Sequence, residues 1–122
     1  MIIASKQKRA LSARHKKALD FAINYLRNSS IAPFVNAVYL YGSCARGLAK
    51  WDSDVDIFLE LNDQALTSEQ LMQEIRLLKG SLSGIDLSAP EVDLKYVFGD
   101  EWRTNNMLYY QKVRKEGLNV WH

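Results

Sequence analysis

The chain predicts a mixed α/β (α+β) fold, a small mixed sheet with helices packed mainly on one side. Amphipathic helical stripes take turns with short runs of branched and aromatic residues, and one run, Asp54 to Leu61, alternates strictly along its length. At 122 residues there is room for one hydrophobic core. Residues 1–122 therefore read as a single domain: a first helix at about 11–27, a central core at about 37–98 and a last helix at about 102–116.

From Leu11 to Arg27 the apolar residues Leu11, Ala18, Leu19, Ala22, Ile23 and Leu26 recur at helical spacing, with Lys and Arg opposite. Asn28-Ser29-Ser30 and Pro33 break that pattern, and Ala37 to Tyr41 reads as a strand that stops at Gly42. In Asp54 to Leu61, Val55, Ile57, Leu59 and Leu61 share one face, and Asp54, Asp56, Phe58 and Glu60 share the other. Thr67 and Gln70 have capping-box spacing, and a stripe of Leu71, Ile75 and Leu78 ends at a glycine cap, Gly80. Val92 to Phe98 is a third strand, and a helix from Trp102 to Glu116 is closed by Gly117 before a strand-like tail, Leu118 to Trp121.

Composition excludes several classes. The hydrophobic share of 48% and charged share of 25% belong to a folding globular chain, not a disordered one. No apolar run approaches the roughly twenty residues of a membrane span, and the first residues lack a signal-peptide pattern. A lone cysteine, Cys44, forms no internal disulfide, and no Cys/His cluster has zinc spacing, so a cytoplasmic setting is expected. Net charge is +2, yet Lys6, Lys8, Arg9, Arg14, Lys16 and Lys17 crowd the N-terminus. With no aromatic residue among them they read as a solvated helix face, not a nucleic-acid platform.

The chemistry concentrates in Gly42-Ser43-Cys44-Ala45-Arg46-Gly47 and Ser53-Asp54-Val55-Asp56-Ile57. A glycine directly after a strand turns the backbone sharply and lets it approach a bulky anion, and Ser43 adds a hydroxyl and an N–H suited to phosphate oxygens. Asp54 and Asp56, two residues apart on a strand, leave the same face about 6–7 Å apart at the backbone. That spacing suits two Mg²⁺ ions acting on an in-line phosphoryl displacement. Asp93, inside a strand between Val92 and Leu94, is the candidate third carboxylate, with Asp86, Glu91 and Asp100 as competitors for that place. Clustered carboxylates repel one another, so such a group makes sense mainly as a cation site. Arg46 is open to two roles, holding a phosphate or fixing the loop by an ion pair.

The string GSCARG followed by SDVDI resembles the signature of the DNA polymerase beta-like nucleotidyltransferases, and most closely their minimal nucleotidyltransferase (MNT) group. Similarity is specific from Ala37 to Leu61, and weaker through Glu91 to Leu94 and Val113 to Gly117. The resemblance implies Asp54, Asp56 and Asp93 as metal ligands, with Asp93 also a candidate general base, and Gly42 with Ser43 as triphosphate contacts. It implies ATP as donor, two Mg²⁺ ions, and a role like that of MNT antitoxins beside HEPN-type toxins, some of which transfer AMP to a toxin tyrosine. Cys44 and Trp51 depart from the family pattern at positions that touch substrate fit more than chemistry.

Three functions compete. The first is transfer of AMP to a partner protein within a toxin–antitoxin pair. The second is an antitoxin that binds nucleotide and partner without turnover. The third is nucleotidyl transfer to a small molecule such as an aminoglycoside, for which Glu60, Asp63 and Glu101 would supply an acidic pocket. The plain structural alternative for the paired aspartates is a solvent-facing strand edge that keeps the sheet soluble. His15 and His122 are expected at the surface. Cys44 is expected to be a small loop residue, reactive only if it lies beside bound phosphate.

Overall fold

The computed structural model describes residues 11–83 and 86–122. Lys6, Lys8 and Arg9 of the N-terminal basic cluster lie outside the described residues.

The first helix, α1 (Ala13–Arg27), starts where Ser12 accepts a hydrogen bond from the His15 N–H and buries Ala18, Leu19, Ala22, Ile23 and Leu26. A 3₁₀ turn at Ala32–Phe34 leads into β1 (Val35–Tyr41), which stops at a one-turn helix, α2 (Gly42–Ala45). After the loop comes β2 (Val55–Leu61), a 3₁₀ turn at Asp63–Thr67 and α3 (Glu69–Leu82). The chain continues through β3 (Val92–Phe98), α4 (Leu108–Glu116) and β4 (Leu118–Asn119).

Four strands make one sheet in the order β3-β2-β1-β4. The outer two-residue β4 and the central β2 both run antiparallel to β1, whereas β2 and β3 are parallel and joined through α3, as parallel neighbours require. β2 is thus an inner strand with six of its seven residues buried, which overturns the reading of Asp54, Asp56 and Glu60 as a solubilising strand edge.

Alternation in the strands sorts the core into two layers. Val38, Leu40, Val55, Ile57, Leu59, Leu61, Val92 and Leu94 face the buried stripes of α1 and α3, the two long helices on one side. Tyr41 and Phe58 face the other way, against Trp102 and Val113. Phe58 is fully buried there, its ring centroid 4.7 Å from that of Trp102. Burying such a ring contributes about 2–3 kcal/mol. Glu60 on this face is 4% exposed and accepts hydrogen bonds from Trp102 Nε1 at 2.6 Å and Arg103 Nε at 3.1 Å.

Several local expectations need correction. The N-cap of α3 is Ser68, whose hydroxyl accepts from the Leu71 N–H, while Thr67 closes the preceding 3₁₀ turn. Gly80 does not end α3; it lies inside the helix, where an added Cβ would meet nothing within 4 Å. The segment from Trp102 is not continuously helical: a 3₁₀ turn covers Glu101–Arg103, and α4 begins only at Leu108. Trp102 is thereby free to turn inward onto Phe58. His15 is buried, 1% exposed, and not a surface residue.

Candidate active site

Strand register brings candidate site residues together. Tyr41 is opposite Asp56 across β1 and β2, and Asp56 is opposite Asp93 across β2 and β3, so three side chains form a row on the α4 side of the sheet. Asp54 lies one step before β2, exposed, on the same side as Asp56. Of the competitors for the third acidic position, Asp86 binds Ser88 within its own loop, Glu91 lies just before β3, and Asp100 follows its far end.

Gly42 starts α2 with φ +75°, a conformation L side chains rarely adopt. A Cβ there would come within 2.2 Å of Asp56 Oδ2, so the turn is packed directly on that carboxylate and a side chain would have to displace it. The Gly42 N–H is engaged: it donates to Glu116 Oε1 at 3.0 Å. Arg46 Nη1 reaches both oxygens of the same carboxylate, at 3.0 and 3.1 Å. Of the two roles open to Arg46, the ion pair that fixes the loop is the one present. Ser43 is half-buried on the same turn.

The neighbouring acids leave an electrostatic mark on Asp56. Burial pushes the Asp56 carboxyl above the usual range, and Asp93 and Asp54 push it further, against opposition from Lys95 and Lys112. Tyr41 is raised by burial and then by Asp56 and Asp93. The Cys44 thiol is also raised, by burial first and then by Asp56 and Asp54, and it donates to the Asp54 carbonyl at 3.4 Å. The thiol thus ties the turn to the chain just before β2.

The donor set is hard oxygen, which fits Mg²⁺. As the side chains lie, however, Asp93 Oδ2 pairs with Lys95 Nζ at 3.2 Å. Among the described residues no three Asp, Glu, His or Cys side chains are gathered closely enough to hold a metal ion.

Residues not singled out from the sequence frame this row. α4 presents Tyr109, Lys112 and Glu116 at helical spacing along one face, where Lys112 bears on Asp56 and Tyr109 on Tyr41. The Tyr109 hydroxyl is pushed up to about 12, by burial first and then by its neighbour Tyr110. His15 bridges α1 to the loop before Asp54: its Nε2 donates to the Ser53 carbonyl at 2.9 Å, which leaves Nδ1 to accept from Ser12. Arg14 stacks 4.2 Å over the Trp51 ring and donates to the Trp51 and Ser88 carbonyls. No pattern of spacing in the sequence signals these long-range ties; only the weak match at Val113 to Gly117 touched one of them.

No helix among the described residues is long and apolar enough to cross a membrane. No curated protein matches the chain. A crystal structure from Sulfolobus solfataricus, titled provisionally as a nucleotidyltransferase, superposes with a TM-score of 0.58 at 17% identity, covering 94% of this chain and 89% of that one. At that identity the likeness shows the fold. The family described as "Polymerase beta, Nucleotidyltransferase" matches residues 20–115, a span that holds the Gly42 turn, the row of Asp54, Asp56 and Asp93, and α4 nearly to its end. The chain therefore belongs to the polymerase beta nucleotidyltransferase family and has its fold.

Proposed function

We propose that the protein transfers AMP from ATP to a hydroxyl on a partner protein, as the antitoxin of a pair with a HEPN-type toxin. The observation that carries the catalytic part is the placement of Asp56 against both Asp93 and the glycine turn. Asp54, Asp56 and Asp93 would hold Mg²⁺, which when bound would neutralise charge on the triphosphate and the departing pyrophosphate.

The remaining work falls to the chain. The Gly42–Ser43 turn presents backbone and hydroxyl to the triphosphate, directly above Asp56. Asp93 takes the proton of the acceptor hydroxyl as its oxygen bonds to the α-phosphorus. The bond from that phosphorus to the bridging oxygen breaks, and pyrophosphate leaves with the electron pair. Positioning and charge complementarity supply nearly all of the rate in such a transfer. The partner reading draws on the MNT-like motif and on the exposed placement of Asp54, which leaves that end of the row open to a large acceptor.

One observation favours a second reading, docking without turnover: Asp93 is already paired with Lys95. A small-molecule acceptor is less well supported. Glu60 is consumed by Trp102 and Arg103, and Asp63 follows the far end of β2, about 20 Å along the strand from Asp54.

Co-expression with the product of a neighbouring HEPN-type gene, followed by intact-mass measurement of that product, tests the proposal. A gain of one AMP that disappears with Asp54→Ala/Asp56→Ala supports transfer. An unmodified partner that is still bound and silenced by both proteins supports docking.

A further inference from the structure

We infer that Glu116, in the last turn of α4, is a positioning residue that holds the Gly42–Ser43 turn in the shape that receives the nucleotide. The role rests on the nucleotide reading of the site given above.

α2 is one turn long. A single helical turn fixes several backbone dihedrals for very few hydrogen bonds and does not persist alone, so its geometry comes from contacts made elsewhere in the fold. Beside its packing on the core, two side-chain hydrogen-bonded ties hold it. The Cys44 thiol ties α2 to the Asp54 carbonyl, and Glu116, 74 residues away in sequence from Gly42, ties it to α4. The second is the stronger, because it is a charged carboxylate bound by both a backbone N–H and a guanidinium. The Glu116 side chain is only 16% exposed, against 40% for Arg46. A carboxylate so far removed from water depends on these partners, and they on it.

The placement of Gly42 separates positioning from obstruction. Glu116 meets the N–H of Gly42, while Asp56 lies where that residue's Cβ would be. The two acids thus grip different sides of one glycine, and Glu116 stands behind the turn and not in the row with Asp56 and Asp93. Any shift of Gly42 is transmitted to Asp56, because the two are in direct contact. Gly117 lets the end of α4 come close enough: a Cβ there would meet the Val113 carbonyl at 2.5 Å and the Tyr39 side chain at 3.4 Å.

The test is calorimetric binding of a non-hydrolysable ATP analogue with Mg²⁺ to the full chain, alongside thermal melting of the free protein. Wild type, Glu116→Ala and Glu116→Gln are compared. Glutamine keeps an oxygen for the Gly42 N–H, whereas alanine leaves both that N–H and Arg46 without their partner. We expect Glu116→Ala to bind about tenfold more weakly, and Glu116→Gln to stay within about threefold of wild type with its melting temperature nearly unchanged.

Tighter binding by Glu116→Ala would show that the carboxylate blocks the phosphate place, and would overturn the positioning role. Unchanged binding in both variants would overturn it too, as would equal losses of affinity and melting temperature in both. If alanine prevents folding, Glu116→Asp replaces it, because its shorter side chain withdraws the carboxylate from the Gly42 N–H: weaker binding with an intact fold supports the role, and unchanged binding with an intact fold contradicts it. Failure of the wild type to bind the analogue would sink the nucleotide reading itself, and the positioning role with it.

Discussion

Asp56 and Asp93 stand directly opposite each other on parallel neighbouring strands, and Asp93 is already bound to Lys95. The acidic row is thus partly neutralised by the chain itself, and a cation entering it competes with a lysine. Replacing Lys95 by Met is expected to tighten Mn²⁺ binding by up to about fivefold at low salt, the upper range for a pair this exposed. The gain should shrink as salt screens the pair. Electron paramagnetic resonance titration of free Mn²⁺ reads the change directly.

A side chain at Gly42 would strain the backbone and displace Asp56. Gly42→Ala would force an L residue to φ +75° and drive its Cβ to 2.2 Å from Asp56 Oδ2. The backbone term costs about 1–2 kcal/mol, and displacement of Asp56 should abolish Mg²⁺-dependent nucleotide binding. Denaturant unfolding and calorimetry on one preparation separate the two effects.

Asp56 gives stability a pH dependence of defined sign. Its folded pKa is raised above 3.8 by burial, Asp93 and Asp54, so its ionised form is the disfavoured one. Its contribution is therefore fully present below the unfolded value and is lost as pH rises through the folded one. Asp56→Asn should melt higher than wild type at pH 7, by less than about 1 kcal/mol after solvent screening, and this advantage should fade near pH 4. Saturating Mg²⁺ should raise the wild-type melting temperature more than that of Asp56→Asn, because the cation removes the repulsion that asparagine already lacks.

The layer under α4 hangs on one ring. Phe58 packs against Trp102, Tyr109 and Tyr110 at centroid distances of 4.7, 6.1 and 6.0 Å. Phe58→Ala should cost about 3–5 kcal/mol and quench the change in Trp102 fluorescence that accompanies unfolding. A loss under 1 kcal/mol, in an otherwise two-state transition, would mean that this layer is not part of the cooperative core.

The legible parts of this fold are those that short-range pattern encodes. The alternation in β2 gives away its α1/α3 face, and Gly42-Ser43 with Asp54 and Asp56 marks the candidate site, because a tight turn and a same-face pair are both local features. What pairs across the sheet is not local. Asp93 was one of several acids near its place until strand register set it against Asp56. Glu116 and His15 reach the site over 74 and 38 residues, and no periodicity records such contacts. Phe58 sat among charged neighbours on what looked like a polar face; Trp102 buries it only because the helix expected from residue 102 gives way to a turn. The choice of Ser68 over Thr67 as cap was a one-residue ambiguity between two hydroxyls able to do the same job.

The most direct test of nucleotidyl transfer is to compare ATP labelled on the α-phosphate with ATP labelled on the γ-phosphate, each with Mg²⁺ and the partner protein. Label should move to the partner from α-labelled ATP, should not move from γ-labelled ATP, and should be lost with Asp54→Ala/Asp56→Ala. Transfer of the γ label instead, or α labelling that survives loss of both aspartates, would contradict a nucleotidyltransferase site built on Asp54, Asp56 and Asp93.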